Sequence, residues 1–300
     1  MTGMGEISTQ TLRIFEPCPN VLAFYDGRIP GKRLRSDKAN WLDDGAYALG
    51  VASYAVFDGA EGLVYDTGLS VSHGRAIRAA LEARGGISLR VVLSHHHNDH
   101  VAGNEAFADC EILTHRKTAD KLRDVEEAFA RDDPPIDPLV HPTKVFDGSE
   151  TVQVGAIRVE LRPLDIHSFD GLVLYLPDRQ LLLAGDTLED TVTYVDEPDR
   201  LEVHLAEFER LSQWEIAKIL PSHGDPDRIA AGGYDRSLIA ATQSYVAKLL
   251  RCSVEPELVD LTLQEFVADE IAAGAVIHFE GYEAVHRQNV QEVLARSVTN

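Results

Sequence analysis

The stretch Ser94-His95-His96-His97-Asn98-Asp99-His100 packs four imidazoles and a carboxylate into seven residues. It follows the apolar run Val91-Val92-Leu93. His95 and His97 are two apart, and in extended chain such residues project to the same side. Two imidazoles placed that way grip one metal ion, while His96 between them points the other way. Asp99 and His100 come where the chain turns into a short helix, so both can aim at a second ion nearby. Neutral imidazole and carboxylate suit zinc, and also iron or manganese.

A two-ion site needs more donors, and three stand downstream. His167 lies in Asp165-Ile166-His167-Ser168. Asp186 ends the apolar run Leu181-Leu182-Leu183-Ala184-Gly185. His223 ends Ile219-Leu220-Pro221-Ser222. Taken singly, each has an ordinary reading as polar loop or turn cap. Together with the first four they make seven donors. A carboxylate can bridge two ions where an imidazole cannot, so Asp186 is the expected bridge. Asp99, beside the attacking water in such a site, is the natural proton shuttle. No other catalytic system competes: there is no GxSxG elbow and no GxxxxGK[ST] loop, and Gly232-Gly233 reads as a loop.

Short apolar runs alternate with amphipathic stretches around these residues. Strands are expected at Val51–Phe57, Gly62–Tyr65, Leu89–Leu93, Ile112–Thr114, Ile157–Leu161, Leu172–Leu176 and Gln180–Ala184. Val71–Ala83 reads as a helix, as do the faces Leu201/Leu205/Phe208/Leu211 and Leu238/Ala241/Tyr245/Leu249, with a weaker helix at Ala284–Ser297. The acidic, proline-bearing segment Asp124–Pro142 reads as a long loop, a candidate cover for a site. Strands with helices between them predict an α/β layered fold. The division expected is a catalytic core over residues 1–230, its segment 1–45 lining the groove, and a mainly helical extension over 231–300.

Composition narrows the partners. The formal net charge is −21, which repels nucleic acid and anionic lipid, so neither is an expected partner and a small molecule is. No apolar run is long enough for a membrane span. Met1 to Arg13 shows neither the basic start nor the apolar centre of a secretory leader. Three scattered cysteines form no disulfide framework, which favours a reducing cytoplasm. The acidic segment Val254–Asn300 carries apolar residues suited to a lid or a homodimer contact.

At these residues the chain resembles the metallo-β-lactamase-fold hydrolases. The match comprises HxHxDH at 95–100, then His167, Asp186 and His223 in that order, and Val64-Tyr65-Asp66-Thr67-Gly68 early in the chain. It covers residues 45–230. The resemblance implies a four-layer αβ/βα sandwich with two divalent metal ions, zinc first and iron or manganese as alternatives, in a groove at one edge. It assigns His95, His97 and His167 to the first ion and Asp99, His100 and His223 to the second, with Asp186 between and Asp66 orienting a ligand from behind. The implied reaction is hydrolysis by a hydroxide held between the ions.

The same resemblance narrows the substrate. β-Lactam-cleaving members generally carry Cys or Ser where Asp186 stands, whereas hydrolases of thioesters, lactones and phosphodiesters tend to have Asp. The charge argues against nucleic acid. Glyoxalase-II-like thioesterases share the His-rich run, but their glutathione-binding bases have only Arg236, Lys248 and Arg251 as counterparts, which read as a solvated helix face. Related lactonases use a Tyr near the bridging Asp to hold the substrate carbonyl, a role Tyr194 can take, and Tyr25, Trp41 and Tyr47 are candidates for the groove's lip. The reading is therefore a hydrolase of a small ester, thioester or lactone. The alternatives are an iron-dependent persulfide dioxygenase and a β-lactam or phosphodiester hydrolase.

Overall fold

The computed structural model describes residues 7–29, 31–86 and 88–299. The first six residues of the stretch read for a leader, and the last residue of the C-terminal extension, lie outside these. The chain runs β1 (Leu12–Cys18), β2 (Val21–Asp26), β3 (Val51–Asp58), β4 (Glu61–Tyr65), α1 (Val71–Glu82), β5 (Ser88–Val92), α2 (Asn98–Val101), β6 (Glu111–His115), α3 (Arg116–Phe129) and β7 (Lys144–Phe146). It continues through β8 (Glu150–Val154), β9 (Ile157–Pro163), β10 (Leu172–Leu176), β11 (Leu181–Gly185), α4 (Leu201–Ser212), β12 (Lys218–Pro221) and α5 (Pro226–Ala230). The C-terminal helices are α6 (Ser237–Arg251), α7 (Leu263–Phe266), α8 (Ala268–Ala272) and α9 (Glu283–Thr299).

Two sheets form, ordered β1-β2-β3-β4-β5-β6-β7 and β12-β11-β10-β9-β8. Strand alternation explains how both faces of the first sheet are covered. Ala23, Tyr25, Tyr54, Val56, Leu63 and Tyr65 turn toward the second sheet. Leu22, Phe24, Ala55 and Val64 turn the other way, onto Ile77 and Leu81 of α1 and Leu122 and Phe129 of α3. Leu172–Leu176 and Leu181–Ala184 of the second sheet are buried throughout, and Phe208 and Leu211 of α4 pack into the same cluster. Helices outside two facing sheets give the four-layer arrangement. The C-terminal helices are present, and Leu238, Tyr245, Leu249, Val285 and Val293 bury into the cluster between and behind the sheets.

Strand direction decides where the chemistry falls. β4, β5 and β6 are parallel, as are β11 and β12, and β9 runs with β11 because both are antiparallel to β10. The segments leaving β4, β5, β9, β11 and β12 therefore gather at carboxyl ends of the sheets. Two tyrosines tie the sheets together near that edge: the Tyr65 hydroxyl donates to the Leu172 carbonyl and the Tyr54 hydroxyl to that of Pro221, each at 2.5 Å.

Two expectations need correction. Residues 124–129 of the segment read as loop continue α3, because Leu122, Val125 and Phe129 fall on one face that packs on the first sheet. The remainder is irregular and is not among the described residues that line the cavity beside the donor residues. It is tied instead to α2 and the N-terminal segment, with Asn98 donating to Asp132 at 3.0 Å and the Trp41 indole to the Pro134 carbonyl at 2.8 Å. The strands β1, β2, β7 and β8 were not read from the sequence. β1 and β8 have half-exposed patterns at sheet edges, so their apolar signal is weak.

Close packing under the site leaves Gly103 no room for a side chain. A Cβ there would press on the backbone carbonyl of Thr67. Gly103→Ala is expected to destabilise the protein by about 1–3 kcal/mol, the usual range for overpacking. Urea unfolding measures it, and an unchanged midpoint would contradict this packing.

Candidate metal centre

Four loop segments at the sheet edge and the short helix α2 deliver the donors. The turn after β5 carries His95 and His97, and α2 supplies Asp99 and His100. His167 lies between β9 and β10 with a left-handed backbone (φ 66°). Asp186 directly follows β11, whose Gly185 (φ 55°) leaves no space for a Cβ, which would stand 2.8 Å from the Tyr65 hydroxyl. His223 follows β12. All except the half-buried His97 are buried.

The donors converge as two sets that share one residue. His95, His97, His167 and Asp186 form one, and Asp99, His100, Asp186 and His223 the other, with donor atoms in each within 4.8 Å of one another. In the first set His95 Nε2 and His167 Nε2 stand 2.9 and 3.2 Å from His97 Nδ1, and 3.7 and 3.6 Å from Asp186 Oδ2. In the second, His100 Nε2 lies 3.0 Å from Asp186 Oδ2 and 3.2 Å from Asp99 Oδ2, and His223 Nε2 lies 3.4 and 3.5 Å from the same two oxygens. Donors at about 2.0–2.1 Å from a common tetrahedral divalent ion stand about 3.3–3.4 Å apart, and the separations given above bracket that value.

The residues also fit an ion in what they leave unsatisfied. Asp99 Oδ2 and Asp186 Oδ1 are buried without a hydrogen-bond partner, a costly condition for carboxylate oxygens unless a cation compensates them. Burial opposes ionisation of Asp186, but His100 and His223 outweigh it and hold the carboxyl well below its ordinary range. Burial likewise disfavours charge on His100 and His223, yet Asp186 and its neighbouring carboxylates raise both. His167, pushed down to about 4 chiefly by burial, is a neutral imidazole with a lone pair to give.

Each imidazole is held from behind, which fixes its ring. His95 Nδ1 meets Ser94 Oγ at 2.9 Å and His223 Nδ1 meets the Gly50 carbonyl at 2.9 Å. His167 Nδ1 meets the Tyr194 carbonyl at 3.2 Å, and His97 Nε2 lies 3.5 Å from Asp196. Asp66, also left-handed (φ 64°), accepts from the Ser94 amide at 2.7 Å and faces His100 Nδ1 at 2.8 Å. His96 turns away from the donors and pairs with Asp170 at 3.1 Å.

The donors open into a cavity of about 80 Å³ lined by Tyr47, Tyr194, Asp44, Glu189 and Asp196 besides the donors themselves. Tyr47 stacks on His223, and its hydroxyl lies 3.4 Å from Asp99 Oδ1. The Tyr194 hydroxyl accepts from Gln288 at 2.7 Å. Burial pushes its phenol up to about 12, so it keeps a proton to donate. Of the other aromatic candidates, Tyr25 is buried in the core and Trp41 binds the Pro134 carbonyl, and neither lines this cavity. Arg236, Lys248 and Arg251 are also elsewhere. Arg236 caps carbonyls at Ser212 and Trp214, and Arg251 pairs with Glu255. Lys248, read as part of a solvated face, instead joins Glu270 at 3.1 Å and is mostly buried.

Sequence reasoning missed Asp196 and Glu189. Glu189 is buried at the cavity wall, and its Oε1 accepts from the Tyr194 amide and from Thr193 Oγ1, both at 3.2 Å. Burial pushes its carboxyl up to about 8. The available signal was a pair of acids, Glu189-Asp190, three residues after Asp186 in an otherwise uncharged stretch.

Comparison with known proteins agrees with this geometry. The model of the Metallo-beta-lactamase superfamily matches residues 46–223. Curated relatives include a hydroxyacylglutathione hydrolase of Cereibacter sphaeroides, 30% identical over 132 residues, or 42% of this chain and 46% of that protein. Another, from Brucella ovis, is 33% identical over 113 residues, 38% of each chain. The matched stretch thus spans less than half the length of those relatives. Among solved structures, a metallo-beta-lactamase from Pontibacter korlensis superposes with a TM-score of 0.61 at 19% identity, covering 79% of this chain and 99% of its own. The DIM-1 metallo-beta-lactamase gives 0.60 at 18%, covering 81% and 99%. At such identity the likeness is one of fold.

Removing the support behind His100 tests this arrangement. Asp66→Ala is expected to weaken zinc affinity about 10–100-fold, the usual cost of losing a partner behind a metal ligand. Competition with a chromophoric chelator measures it, and an unaltered affinity would reduce Asp66 to a turn residue.

Proposed function

Because the chain belongs to the Metallo-beta-lactamase superfamily, we propose that it is a two-ion hydrolase of a small thioester, ester or lactone, with thioesters first and zinc as the metal. The observation that carries the reading is Asp186, whose Oδ2 faces imidazoles of both donor sets. The hydroxyacylglutathione hydrolases among its relatives support the thioester, since their named substrate is an acyl group on a thiol. A single-iron oxygenase would leave Asp99, His100 and His223 without a task.

His95, His97 and His167 would hold one ion and Asp99, His100 and His223 the other, with Asp186 between them. Bound divalent ions supply Lewis acidity to a carbonyl and lower the pKa of water to about 7. The chain's own groups do the rest. Asp99 Oδ2 faces the imidazoles of His100 and His223, leaving Oδ1 on the Tyr47 side to take a proton from the attacking water and return it to the leaving group. The Tyr194 hydroxyl donates a hydrogen bond to the carbonyl oxygen as charge develops there. Gln288, by donating to the Tyr194 hydroxyl oxygen, leaves the phenol proton free for this role. The cavity of about 80 Å³ beside the donors has room for a reacting carbonyl and a water.

The test is a panel of thioesters, acyl lactones, phosphodiesters and β-lactams on zinc-loaded protein. Turnover of a thioester or lactone is expected, and turnover of β-lactams alone would overturn the reading. Asp186→Ala is expected to lose metal and activity together, while His278→Ala, in the C-terminal extension and outside both donor sets, loses neither. Activity surviving Asp186→Ala with full metal content would contradict the bridge. Tyr194→Phe is expected to lower kcat on the order of 10²-fold with metal content intact, as for loss of one oxyanion donor. An unchanged kcat would make Tyr194 a wall residue.

A further inference from the structure

A second group of donors stands behind the His167 loop. Asp165, Glu197 and His204 place one donor atom each within 4.8 Å of one another. They come from three separate segments: Asp165 from the loop after β9, Glu197 from the segment before α4, and His204 from the first turns of α4 itself. His204 is only 3% exposed, and its Nε2 has no hydrogen-bond partner. Glu197 Oε2 is likewise buried without a hydrogen bond, the nearest charge to it being Arg200 Nε at 3.6 Å. Asp99 Oδ2 and Asp186 Oδ1 at the metal centre are likewise buried without a hydrogen-bond partner among the described residues.

We propose that Asp165, Glu197 and His204 form a third cation site, for a divalent first-row transition ion such as zinc or manganese, that has a structural rather than a catalytic task. One imidazole with two carboxylates is a donor set suited to these ions. Burial pushes His204 down to about 4, so its imidazole is neutral and offers a lone pair. Arg200 also grips Asp165, with Nε 3.0 Å from Oδ1 and Nη2 on Oδ2, and its Nε stands 3.6 Å from Glu197. Lys117, half exposed, lies 3.8 Å from Asp165. Each carboxylate oxygen has a second lone pair, so Arg200 can hold Asp165 from behind while a cation binds in front.

The location gives the ion its task. Asp165 is two residues before His167, and Glu197 directly follows Asp196, which faces His97 at 3.5 Å. A cation joining Asp165 to Glu197 and to His204 of α4 fixes both supports of the first donor set to one helix.

Equilibrium dialysis against zinc, with metal counted per chain by mass spectrometry, tests the site in the full protein. Wild type is expected to bind one ion more than His204→Gln and one more than Glu197→Gln. Glu197 lies nearer the surface, so that variant decides the matter should His204→Gln fail to fold. Equal zinc content in wild type and a folded variant would overturn the proposal and leave the cluster an ion pair with Arg200. The count does not depend on any substrate, so it stands or falls separately from the hydrolase reading.

Discussion

One buried oxygen organises this protein. Asp186 Oδ2 has four imidazole nitrogens around it, from His100 at 3.0 Å, His223 at 3.4 Å, His167 at 3.6 Å and His95 at 3.7 Å. A carboxylate at that depth is sustainable only if its charge is answered. Imidazoles alone answer it by taking up protons, as the upward shifts of His100 and His223 record. Divalent cations answer it more completely, because they also satisfy the orphaned oxygens of Asp99 and Asp186.

The rest of the fold can be understood as the means of bringing that oxygen to its neighbours. Parallel pairing of β11 with β12 places Asp186 and His223 side by side, and parallel pairing of β4 with β5 brings Asp66 to Ser94, at the start of the His-rich run. The tyrosine hydroxyls of β3 and β4 then join the two sheets next to the site. Left-handed backbone at Asp66, His167 and Gly185 marks where the chain bends sharply to turn a side chain inward. Such conformations persist only where packing and hydrogen bonds hold them.

Much of this was legible in the sequence because it rests on local signals. The spacing of His95 and His97 and the apolar runs that end at Asp186 and His223 are visible without any long-range information. So is the outward turn of His96, which follows from alternation and is met by Asp170. What stayed hidden depends on contacts between distant segments. The edge strand β1 has no alternating burial to show a period, and β8 is short, with only Val152 and Val154 buried. The continuation of α3 into residues 124–129 was masked by the prolines that follow it. Glu189 and Asp196 touch the site only through loops whose course no pattern predicts, and Asp165 meets Glu197 and His204 only because the loop after β9 comes to the start of α4.

The central claim is that Asp186 lies between two bound ions. Diffraction from zinc-loaded crystals at the zinc absorption edge tests it most directly, since anomalous peaks locate each ion without reference to the protein. The account predicts two peaks at the edge of the sheets, both within about 2.0–2.2 Å of an Asp186 carboxylate oxygen. A single peak there, or an Asp186 turned away from both donor sets, would contradict it.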